Sequence, residues 1–227
     1  MNVGIVCEGR TDFILLEQVV LAVFGPSDIR PLQPVRDALD PTRWSEAGWT
    51  QVRRWCEARG AGGITDELEM GGLDVIVLQV DGDLCGQQGM PSTRAALCDH
   101  IKAAWIGPPG PPNAVVICIP ALATDAWLVA ALDPGVDGQT LERDPRPADR
   151  LTAWGLNKRQ SDYRDHAHRV HDTLPRLLPH MSELDRFVGK LRASAPRADA
   201  ATPAPAPRGP LPADDVGPPG ASAARRL

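Results

Sequence analysis

The chain has 227 residues, 43% of them apolar, with five cysteines and a formal net charge of −5. That length suffices for one domain with a sizeable core. No apolar run nears the roughly 20 residues of a membrane span, and the acid excess argues against a general nucleic-acid coat.

Met1-Asn2-Val3-Gly4-Ile5-Val6 has no basic leader, so it reads as a strand that starts at once rather than a signal peptide. The apolar run Asn2 to Cys7 predicts a buried strand, and Thr11 or Asp12 is placed to cap a helix whose face is Phe13, Leu16, Val19 and Val20. Ile29 to Val35 predicts a second strand, pushed to a sheet edge by Pro31 and Pro34. Glu46 to Arg59 predicts a helix burying Trp49, Val52, Trp55 and Cys56. Leu73 to Val80 is nearly continuous in apolar residues, as in a strand covered on both faces. Ser92 is placed to cap a helix running to about Trp105, which the loop Gly107 to Pro112 ends. Ala114 to Ile119 predicts another buried strand, and Thr124 or Asp125 opens a helix through Leu132. Two further helices are expected at about 161–180 and 183–193, the first bent or interrupted by Pro175 and Pro179.

Alternating βα units predict an α/β fold, a mainly parallel sheet flanked by helices, over residues 1–193 with a C-terminal helical segment. From Ser194 to Leu227 Pro, Ala and Gly dominate, and the segment reads as a disordered tail. The five cysteines, Cys7, Cys56, Cys85, Cys98 and Cys118, form no CxxC pair. A zinc site or a disulfide framework is therefore not expected, and a reducing cytoplasm fits.

Ligands of open α/β sheets bind beyond the carboxyl ends of the strands. Here each such end is acidic: Glu8 and Asp12 after the first strand, Asp81 and Asp83 after the central one, Asp125 after the later one. Parallel strands would bring all five to one rim. Like charges at close range repel, and a hard divalent cation such as Mg²⁺ or Mn²⁺ relieves the conflict through carboxylate oxygen. In Asp81-Gly82-Asp83 the two aspartates can point to one side while Gly82 permits close approach. Singly, each acid has an ordinary reading: Asp12 and Asp125 as helix caps, Asp81-Gly82-Asp83 as a polar turn. Their joint placement on three strand ends is what points to a site.

The motifs Val6-Cys7-Glu8-Gly9 and Val80-Asp81-Gly82-Asp83 resemble the Toprim family. The fuller Glu8-Gly9-Arg10-Thr11-Asp12 is similar to the OLD-type Toprim nucleases. Asp125-Ala126-Trp127-Leu128, Lys158 and Leu184-Asp185-Arg186-Phe187 resemble small stand-alone Toprim-like bacterial proteins, the domain of unknown function 4276. In one respect the chain departs from the pattern: the late acid is usually glutamate. The resemblance implies Mg²⁺- or Mn²⁺-dependent cleavage of DNA or RNA in the cytoplasm. On that reading Asp81, Asp83, Asp12 and Asp125 hold metal, Glu8 holds metal or acts as general acid/base, and Lys158 neutralises charge on the scissile phosphate. OLD-type proteins carry an ATPase, and no GxxxxGK[ST] segment occurs here. The expectation is an anti-phage effector working with a separate ABC- or OLD-like ATPase, with self-association left open.

The stretch Lys158 to His171 is the most basic part of the domain, with Asp162 and Asp165 interleaved. It reads equally as a phosphate-contacting face or a solvated helix face. His168 and His171 lack the companions of a metal site. A non-catalytic Toprim-like binding or regulatory subunit is the alternative function. A dinucleotide site or a serine hydrolase is unsupported, since neither GxGxxG after the first strand nor GxSxG occurs.

Overall fold

The computed structural model describes residues 1–37, 39–40, 43–157 and 159–195. Lys158 and all but the first two residues of the expected tail lie outside them; of those two, Ser194 still belongs to the last helix.

The elements alternate as the sequence pattern requires. Strand β1 (Asn2–Val6) leads to α1 (Arg10–Phe24), β2 (Asp28–Gln33), α2 (Trp49–Glu69) and β3 (Val75–Gln79). A tight 3-10 turn (Gly82–Leu84) and α3 (Arg94–His100) precede β4 (Val115–Cys118). Then come α4 (Asp125–Leu132), α5 (Gly138–Glu142), α6 (Pro147–Ala153), α7 (Gln160–Leu177) and α8 (Ser182–Ser194). The four strands pair in the order β2-β1-β3-β4, all parallel.

Strand alternation divides the apolar side chains between two layers. Val3, Ile5, Val75, Val77, Val116 and Cys118 face a core built with α1, α4, α7 and α8. Val6, Ile76, Leu78 and Ile117 face a second core built with α2, Trp105 and Leu97. Burial on both faces is why these strands read as continuous apolar runs rather than alternating ones. Trp127 of α4, fully buried, stacks on Phe187 of α8 at 6.1 Å. The thiols of Cys7 and Cys118 are buried as expected, and all five cysteines are unpaired.

Several boundaries differ from expectation, each for a local reason. The first helix is preceded by Gly9, with no side-chain cap; Asp12 lies inside its first turn. β2 is the edge strand that Pro31 predicts, and the register slips between Ile5 and Val6, but it ends at Gln33 rather than Val35. α2 begins at Trp49 and continues past Arg59, because Gly60 takes a left-handed φ of 57° and kinks the helix without ending it. Thr93, not Ser92, caps α3, its hydroxyl accepting from the amide of Ala96 at 3.3 Å. The helix then continues through one wide π-type turn, Ile101–Ile106. Pro175 sits within α7 without ending it, and Pro179 lies in the short turn that follows. Two short helices, α5 and α6, were not anticipated. Asp137 caps α5 through the amide of Thr140 (3.0 Å), and Pro147 opens α6, where its missing N–H costs nothing.

Candidate functional site on the carboxyl rim of the sheet

Parallel pairing fixes where the acids go. Val6 lies opposite Leu78, and Gln79 opposite Cys118, so the segments after β1, β3 and β4 leave the sheet side by side. Glu8 and Asp81 meet directly: the main-chain N–H of Asp81 donates to Glu8 Oε1 at 2.7 Å. Between them stands Gln79, fully buried at the end of β3. Its Oε1 accepts from the amide of Glu8 at 3.1 Å, and its Nε2 donates to Asp81 Oδ1 at 2.7 Å. One carboxamide thus ties the turn after β1 to the carboxylate after β3. Gly48 N donates to the carbonyl of Glu8 at 2.6 Å, which anchors the start of α2 on the same turn.

The other acids gather around this pair. Asp12, in the first turn of α1, accepts from the hydroxyl of Thr124 at 2.5 Å, which links α1 to the start of α4. Asp125 is 4% exposed and accepts from Tyr163 Oη of α7 at 2.5 Å. Asp83 is exposed on the 3-10 turn, whose backbone packs on the loop after β4. The amide of Asp83 donates to Leu122 O at 3.3 Å, and a Cβ on Gly82 would fall 2.2 Å from Pro120 O. The close approach that glycine permits here is therefore between two strand-end loops.

Electrostatics follow from this crowding. Burial pushes the Glu8 carboxyl up to about 7, opposed by the amide of Asp81 and reinforced by the charges of Asp12 and Asp83. Burial, then the charges of Asp12, Glu8, Asp83 and Asp125, pushes Asp81 far above the ordinary carboxylate range. The same cause, burial and then Asp125, pushes the Tyr163 hydroxyl up, so it remains a donor.

Asp81 thus feels the charges of Glu8, Asp12, Asp83 and Asp125, and Glu8 those of Asp12 and Asp83. Asp125 is the deepest and is turned to Tyr163. Lys158 falls outside the described residues, and so do its contacts. The basic residues Arg164, His168, Arg169 and His171 sit on the exposed face of α7, whose buried face is Tyr163, Ala167, Val170 and Leu174. Gln79, Thr124 and Tyr163 are the site residues that sequence reasoning missed. A signal existed for Gln79, the one polar residue in Val75-Ile76-Val77-Leu78-Gln79-Val80.

The donor set is carboxylate oxygen throughout, which suits a hard divalent cation, and each of Glu8, Asp12, Asp81 and Asp125 has one oxygen oriented by a neutral donor. As the side chains stand, no three His, Cys, Asp or Glu groups among the described residues are gathered closely enough to hold an ion. A cavity of about 620 Å³ is walled by Lys102, the loop Gly107 to Pro112 and Val115, at the opposite end of β4. No helix among the described residues is long and apolar enough to cross a membrane. Comparison with family models, with curated proteins and with solved structures gives no match.

Proposed function

We propose that this chain is a metal-dependent nuclease of Toprim type, cleaving phosphodiester bonds of DNA or RNA in the cytoplasm with Mg²⁺ or Mn²⁺. The observation that supports this reading is the Glu8–Gln79–Asp81 bridge: two carboxylates from neighbouring strands, held together against their repulsion while Asp12, Asp83 and Asp125 add to it. A structure gains nothing in stability from such a cluster. It gains a seat for a cation.

Asp81, Asp83 and Asp12 would hold the metal, with Asp125 behind them. When bound, the ion would neutralise charge on the phosphoryl oxygens and lower the pKa of an attacking water. Glu8, whose carboxyl titrates at about 7, is suited to take a proton from the nucleophile and return one to the leaving oxygen. Gln79 orients the Asp81 carboxylate, the Asp81 amide orients that of Glu8, and Thr124 and Tyr163 orient Asp12 and Asp125. A separate ATPase partner, as in OLD-type systems, belongs to the same proposal.

The test is cleavage of labelled DNA and RNA by the purified chain in Mg²⁺ or Mn²⁺, with and without a candidate ATPase. Asp81→Ala should reduce the rate at least about 10³-fold, roughly 4 kcal/mol of barrier, while leaving the fold intact. No cleavage under any divalent ion, with the partner present, ends the nuclease reading. A second reading, a nucleic-acid-binding or regulatory subunit without catalysis, is favoured by one observation: the acids are not gathered into an ion cage as they stand. Strand binding without cleavage would select it.

A further inference from the structure

The loop after β4 has two sides. One side meets the acid turn through Leu122 O and Pro120 O. The other walls a cavity of about 470 Å³, lined also by Arg94, Gln139, Glu142, Arg143 and Ser182. Only the thickness of this loop separates the cavity from the acid rim.

The charged groups of the cavity are not equivalent. Arg94 is held in place: its guanidinium donates to Ala121 O at 3.4 Å and to Glu183 at 2.7 Å. Glu142 is already engaged at the start of α8, accepting from Ser182 N and Oγ, both at 3.0 Å, and from Glu183 N at 2.9 Å. Glu183 has a second cation in Arg186 at 2.9 Å. Gln139 on α5 and Arg143 just beyond it are both exposed. An open cavity therefore presents a guanidinium fork and a carboxamide, while the Ser182 hydroxyl is given to Glu142.

A polyanion approaching this molecule meets a net charge of −5 and a rim of carboxylates. It needs a local cationic anchor close to that rim, and a guanidinium suits phosphate geometry. We propose that this cavity seats a phosphate of a nucleic-acid strand, contacted by Arg143 with Gln139 beside it, so that a neighbouring phosphodiester lies on the acid rim. The inference rests on the nuclease reading for what happens at the rim, and on the cavity alone for the anchor.

The experiment is fluorescence anisotropy of short labelled DNA and RNA strands with the full chain, in Ca²⁺ in place of Mg²⁺, over a range of salt. Arg143→Ala should weaken binding about tenfold and reduce the salt slope by roughly 0.7, the increment for one phosphate contact on a single strand. Arg143→Lys should restore the slope. The two strands distinguish DNA from RNA as the source of the phosphate. Arg143 is exposed, so urea unfolding should be unchanged by either substitution. Unaltered affinity and slope in Arg143→Ala, or no binding of either strand by the wild type, overturns the proposal. Arg143-dependent binding without cleavage in Mg²⁺ or Mn²⁺ keeps the anchor and removes the nuclease. Cleavage with an unchanged KM in Arg143→Ala does the reverse.

Discussion

Two groups of acids in this molecule, one buried and one half-buried, are treated in opposite ways. Glu183, 7% exposed at the start of α8, is clasped by Arg94 and Arg186, and Glu142 beside it receives a hydroxyl and two amides. Glu8 and Asp81, on the sheet rim, are met by a main-chain amide and a carboxamide, and are surrounded by further acids. The first arrangement joins α3, α5 and α8 and is structural. The second leaves like charges facing one another, which the fold tolerates and a cation would relieve. An acid count alone would not separate them. Their partners do.

The sharpest way to break this contrast is to neutralise one acid from each group. Glu8 titrates at about 7 against an ordinary value of 4.5, so the folded state holds its proton more tightly than the unfolded state. Stability from that proton is complete below about pH 4.5 and is lost as pH rises through 7. At pH 8 without divalent ions, Glu8→Gln should therefore stabilise the fold by roughly 2 kcal/mol once solvent screening is allowed for. Glu183→Gln should destabilise it by about 2 kcal/mol, because two guanidinium groups lose a buried carboxylate. Urea unfolding at pH 5 and pH 8 checks both. If the two substitutions shift stability in the same direction at pH 8, the distinction between the two groups fails.

A smaller effect sharpens the rim itself. Gln79→Leu keeps the bulk of the side chain and removes both of its hydrogen bonds. Mn²⁺ affinity should fall about 10- to 100-fold, the usual cost of losing a group that orients a metal ligand. Calorimetric titration reads this directly. Unchanged affinity would make Gln79 a packing residue only.

The sequence made much of the rim legible, for a physical reason. β1, β3 and β4 are covered on both faces, so their cores are unbroken apolar runs and their ends are marked by the first acids. Parallel connection then places those ends on one side. What it could not convey were partners distant along the chain. Tyr163 reaches Asp125 across 38 residues, and Thr124 reaches Asp12 across 112. Thr124 read as a helix cap, and its hydroxyl serves another helix instead. Nothing in the sequence marked Glu142 or Glu183, because only tertiary packing brings Arg94 to Glu183 and Glu142 to the start of α8. The short helices α5 and α6 carried cap signals at Asp137 and Pro147 but too few apolar positions to show a period.

The central claim is that a cation binds at Asp81, beside the Glu8 carboxyl. Calorimetric titration of the metal-free chain with Mn²⁺ near neutral pH tests it most directly. The claim predicts saturable binding in the wild type, proton release as Glu8 ionises, and loss of both in Asp81→Asn. Absence of binding, or binding undiminished in Asp81→Asn, would contradict it.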